Sequence, residues 1–168
     1  MSALRSTIAS VLAGVLVLAC ASGGGPQSRT KAAPIGPPLA STGDRVGKVV
    51  VTAGEGLTAE QKQAVASYKV AESLTSQIVQ RAGSGGQVTL NVTITSLRLR
   101  SGFSAVAWGL MAGPDLLDVT VSAEKNGKVL RTFDTGSGSG LGGIAFAAPT
   151  RRVNRLILSV AERVATSL

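Results

Sequence analysis

The chain has 168 residues, with 17 Lys and Arg against 9 Asp and Glu for a formal net charge of +8, one cysteine and no histidine. That inventory excludes an intramolecular disulfide and leaves acid–base, nucleophilic and metal chemistry almost without candidates, so no cofactor, no metal and no enzymatic activity are expected. The positive balance favours anionic partners such as lipid headgroups or acidic polysaccharide, whereas scattered basic residues and only 3% aromatic content argue against nucleic acid.

The first recognisable element runs from Ile8 to Ala19, an uncharged apolar stretch behind Arg5 that stops at Cys20. A bilayer-spanning helix needs about 20 apolar residues, and Ser22 to Pro26 cannot continue a helix, so residues 1 to 19 read as a secretory signal. Val17-Leu18-Ala19-Cys20 resembles the lipobox of bacterial lipoproteins, with Leu18 where Ala or Ser is usual. The resemblance implies that Cys20 is acylated and becomes the new N-terminus. Ala21 stands where Asp retains lipoproteins of enteric bacteria at the inner membrane, so by the same resemblance the outer membrane, periplasmic face, is favoured.

Residues 20 to 45 hold four of the six prolines among Gly, Ser and Ala and read as a disordered tether, holding the domain about 25 to 30 Å from the membrane. Residues 46 to 168 then form a single domain of ordinary size. It opens with a β-branched strand, Val46 to Thr52. Thr58 with Gln61 forms a capping box, and Ala64, Val65, Tyr68, Ala71, Leu74, Thr75, Ile78, Val79 and Ala82 predict one helix, closed by Gly83. Tyr68 reads as a core residue with its hydroxyl at the rim.

Val88, Leu90, Val92 and Ile94 alternate with polar residues, and the phase then changes at Leu97 and Leu99, which predicts a bulge near Thr95-Ser96. Leu117, Val119, Val121 and Ala123 mark the inward face of the next strand. A three-residue loop, Lys125 to Gly127, sets Val119 against Phe133 and places Asp118 across from Asp134 on the outer face, with Arg98 or Arg100 expected to neutralise the pair. Between these strands, Phe103, Trp108, Leu110 and Met111 make residues 101 to 115 too apolar for an ordinary loop. They are expected either to cover the core or to form an exposed tip that contacts a membrane or partner.

Gly138, Gly140 and Gly143 match G-x-G-x-x-G without opening a helix, so the stretch reads as a glycine-rich edge or loop and not as a dinucleotide site. A last helix from about Thr150, capped by that residue, carries the buried stripe Val153, Leu156, Ile157, Val160, Ala161, Val164 and Leu168. Arg151, Arg152 and Arg155 crowd its first turns on or near the solvent face, where three guanidiniums at a helix start suit an anion.

The sum is an α+β domain in the order β-α-β-β-β-α, a largely antiparallel sheet of about four strands with two helices on one face. Ile94-Thr95-Ser96-Leu97-Arg98, Ala112-Gly113-Pro114-Asp115, Gly127-Lys128-Val129-Leu130, Phe133 and the glycine-rich stretch resemble a family of small uncharacterised Gram-negative lipoproteins. That resemblance implies fold and location and transfers no active site. The expected function is a non-catalytic binding or envelope-assembly module anchored through Cys20, with an envelope protein, anionic lipid or glycan as partner. The alternative is a lipid-handling accessory of an envelope transport system.

Overall fold

The computed structural model describes residues 26 to 29, 33 to 100, 114 to 139 and 147 to 168. Chain order gives β1 (Pro26–Arg29), α1 (Leu39–Thr42), β2 (Val46–Ala53), α2 (Ala59–Ser67), α3 (Val70–Ala82), β3 (Val88–Arg98), β4 (Asp115–Lys125), β5 (Lys128–Ser139) and α4 (Pro149–Thr166). The fold is α+β. One five-stranded sheet has the order β1-β5-β4-β3-β2, antiparallel except for the β2–β3 pair, which is parallel because α2 and α3 carry the chain back across the sheet.

The core lies between one face of the sheet and the helices. Leu90, Val92, Ile94, Leu117, Val119 and Val121 meet Val70, Leu74 and Ile78 of α3 and Leu156, Ile157 and Val160 of α4, all of them buried. Alternation dictates the strand contribution and 3.6-residue periodicity the helical one. The phase change in β3 is a bulge, with Ile94 facing Val119 and Ser96 facing Asp118, so that Thr95 is extruded and Leu97 returns to the core.

The capping box forms as the residues dictate, with Thr58 N donating to Gln61 Oε1 at 3.0 Å and Gln61 N to Thr58 Oγ1 at 3.2 Å. The single helix expected from 58 to 82 is two, however. Lys69 adopts φ 49° and ψ 44°, which ends α2 and starts α3 on a new phase. Val70, outside the expected stripe, becomes fully buried, while Tyr68 packs at the core rim.

The disordered tether is also corrected, because much of residues 20 to 45 is engaged with the domain. β1 pairs with β5, Ile35 exchanges both backbone hydrogen bonds with Thr132 at 2.8 and 2.9 Å, and Leu39 is buried. Arg131 Nη1 donates to Gly36 O at 2.7 Å, and Lys125 Nζ bridges Asp44 Oδ1 at 2.7 Å. Gly36 serves close approach of the backbone to β5. A Cβ on Gly36, at φ 97°, would stand 2.2 Å from Leu130 O.

The hairpin corrects the expected register. Asn126 and Gly127 take φ 53° and 76° in a two-residue loop that pairs Lys125 with Lys128. A bulge next to Ala123 then restores apolar matching, setting Val121 against Phe133, Thr120 against Asp134 and Asp118 against Gly136. No repulsive Asp118–Asp134 pair exists, and Asp134 instead accepts from Thr120 Oγ1 at 2.5 Å.

Candidate functional site

The residues that share the most buried charge lie at one end of the sheet, where β4 begins. Asp115 is wholly buried on the inward parity of β4, two residues before Leu117. Its register partner is Ser139, the last residue of β5, whose Oγ donates to Asp115 Oδ2 at 3.2 Å. Arg100, just past the end of β3, gives its backbone N–H to Asp115 Oδ1 at 2.7 Å and lays its Nε 3.7 Å from the same oxygen.

Arg152, from the first turn of α4, completes the cluster. Its Nη1 lies 3.1 Å from both carboxylate oxygens and its Nη2 donates to Arg100 O at 2.8 Å. Arg100 and Arg152 are only 4% and 3% exposed, so two guanidiniums share one carboxylate out of water. Such a pairing is costly to bury and more costly to break. Chemically it is a clasp. One carboxylate ties the end of β3, the start of β4, the end of β5 and the start of α4.

The three arginines expected to act together are separated. Arg152 turns inward, while Arg151 and Arg155 are exposed. Thr150 is not the cap, since α4 starts at Pro149 with Ala148 at the N-cap and no side-chain cap bond. Arg100 pairs with Asp115 and not with Asp118 or Asp134. Cys20, Phe103, Trp108, Leu110 and Met111 lie outside the described residues.

Sequence reasoning missed Asp115 and the inward turn of Arg152, although both carried a signal. Asp115 has the parity of Leu117 and Val119, and Arg152 stands four residues before Leu156 on the apolar stripe of α4.

A second feature lies between α3 and α4 on the outer helical surface. An open recess of about 580 Å³ is lined by Arg81, Arg155, Leu158, Ser159, Glu162, Arg163 and Thr166. Arg81 Nη1 donates to both Gln77 O at 3.0 Å and Gln77 Oε1 at 2.5 Å, and Arg163 Nη1 donates to Gly136 O. Burial holds the Arg163 pKa below the ordinary guanidinium range, opposed by the neighbouring Glu162. Among the described residues no group of three or more His, Cys, Asp or Glu could hold a metal ion, and no helix is long and apolar enough to cross a membrane.

No protein-family model matches this chain, and no curated protein matches it. Two crystal forms of a PelC dodecamer from Paraburkholderia phytofirmans overlap it in shape. One, a variant in space group C2, gives a TM-score of 0.43 at 16% identity over 82% of this chain and 93% of that one. The other, in space group P6, gives 0.39 at 17% identity over 80% and 94%. Overlap at that level carries no functional information.

Proposed function

We propose that the chain is an outer-membrane-anchored periplasmic lipoprotein whose domain acts as a non-catalytic binding or envelope-assembly module. The observation that carries the reading is a convergence at the Asp115 end of the sheet. β1 starts there, with Pro26 opposite Ser139, and only Ala21 to Gly25 separate it from Cys20. At about 3.3–3.6 Å per residue that link spans roughly 20 Å at most, so an acylated Cys20 holds this end close to the bilayer.

The same end is where β3 and β5 hand over to residues 101 to 113 and 140 to 146, two stretches without any charged residue. They contain Phe103, Trp108, Leu110 and Met111 in the first and Leu141, Ile144 and Phe146 in the second. α4 also begins there with Arg151 exposed in its first turn. Uncharged apolar sequence beside a basic helix start suits an anionic headgroup layer and would add to the hold of an acyl anchor.

The non-catalytic reading rests on how Asp115 is used, because this fully buried carboxylate is occupied in joining four elements. Of the two forms of the lipid-handling alternative, an apolar groove between helices and sheet is disfavoured by Leu74, Ile78, Leu90, Leu156 and Ile157 filling that space, while a membrane-active Phe103 to Met111 tip lies outside the described residues. Intact mass and membrane fractionation in a Gram-negative host, beside Cys20→Ala, test the reading. Loss of residues 1 to 19, added acyl mass and outer-membrane recovery are expected, all abolished by the substitution. A soluble, unacylated product beginning after residue 20 would contradict it.

A further inference from the structure

The α3–α4 recess combines features that neither the anchor nor the Asp115 clasp uses. Arg81, Arg155 and Arg163 reach it from two helices against a single acid, Glu162, leaving a net charge of +2 along its lining. Two of these guanidiniums are held in place by the protein itself. Arg81 is fixed by its pair of bonds to Gln77, and Arg163 by its bond to Gly136 O. Donors fixed before a ligand arrives lose less freedom on binding, and a partly desolvated cation attracts an anion more strongly than one in open water.

The rest of the lining is suited to a sugar. Ser159 and Thr166 bring hydroxyls, and Leu158, 42% exposed, presents an apolar patch where the C–H face of a pyranose ring can rest. Leu158 also borders an adjoining recess where Ser76, Gln77 and Asn154 supply uncharged polar groups and Lys69 and Glu72 add one charge of each sign, so the two form one extended track whose excess positive charge lies at the guanidinium end. A planar headgroup layer does not enter a concave track between two helices, whereas a chain of sugar residues follows it.

We infer that the α3–α4 groove is a binding site for an acidic polysaccharide, with Arg81, Arg155 and Arg163 taking its carboxylates and Leu158 a ring face. The inference rests on the binding-module reading and is independent of the anchor. The test uses the full chain in non-ionic detergent, polygalacturonate as the probe and uncharged dextran as its control, with affinity measured by calorimetry at several salt concentrations.

Binding to polygalacturonate and not dextran is expected, weakening as salt rises. Arg81→Gln with Arg155→Gln should weaken it by about tenfold or more, whereas Lys48→Gln with Lys128→Gln, the same loss of two charges at exposed positions of β2 and β5, should leave it within about twofold. No preference over dextran, or equal losses from the strand pair and the groove pair, would overturn the site. Loss of anionic-vesicle binding in the groove pair without any polygalacturonate binding would overturn it as well, assigning the arginines to a membrane. An unacylated chain that still binds polygalacturonate retains the groove and removes the anchor, so the two readings fail separately.

Discussion

Asp115→Ala is expected to lower the unfolding free energy by about 3–5 kcal/mol, the usual cost of removing one partner from a buried ion pair. Asp115 is fully buried, and its loss leaves Arg100 and Arg152 adjacent, at 4% and 3% exposure, with no carboxylate between them. The backbone N–H of Arg100 and the hydroxyl of Ser139 lose their acceptor too. Asp115→Asn keeps the shape and one acceptor but not the charge, and should fall between wild type and Ala. Urea unfolding measures all three, and a loss below about 1 kcal/mol for Asp115→Ala would mean that the clasp contributes little.

Gly136→Ala is the second large effect, expected at about 1–3 kcal/mol from overpacking. A Cβ there would stand 2.2 Å from Asp118 Oδ1 and 2.9 Å from Leu117 O. Asp118 is 3% exposed and lies directly across the β4–β5 pair, so the missing side chain of Gly136 is the space its carboxylate occupies. The two positions should therefore couple. In an Asp118→Ala background the cost of Gly136→Ala should fall to less than half, and simple additivity would show that Asp118 is not what the glycine accommodates.

These two residues show where the sequence was legible and where it was not. The α+β class, the capping box at Thr58 and Gln61, the bulge at Thr95 and the buried stripe of α4 follow from local chemistry. Each depends on residues within a turn or a strand of one another, and the structure reproduces all four. Non-local pairing was not legible. Gly136 and Gly138 read as loop residues because their flexibility is visible in sequence, whereas the Asp118 carboxylate and Leu116 side chain opposite them in β4 are not.

The hairpin register failed for a related reason. The three-residue loop was expected because an uninterrupted two-residue Asn-Gly hairpin sets apolar residues against polar ones, yet a bulge beside Ala123 lets the two-residue loop keep the apolar matching. In the N-terminal stretch, Pro and Gly content read as disorder, while the partners that order it, Thr132, Arg131 and Lys125, are about 80 to 100 residues away in sequence. Arg152 was legible in part. Its spacing from Leu156 places it on the buried stripe, and its charge argued it outward until Asp115 was there to receive it.

The proposed membrane-facing orientation of the Asp115 end is tested most directly by depth. In the proposed lipoprotein, where acylation takes up the Cys20 thiol, Thr150→Cys at the exposed start of α4 and Ser84→Cys in the exposed loop at the opposite end of the sheet each accept one environment-sensitive dye. In membranes containing bromine-labelled lipid, the dye at 150 should be quenched strongly and the dye at 84 hardly at all. Equal quenching at the two positions, or stronger quenching at 84, would contradict a domain held with its Asp115 end against the bilayer.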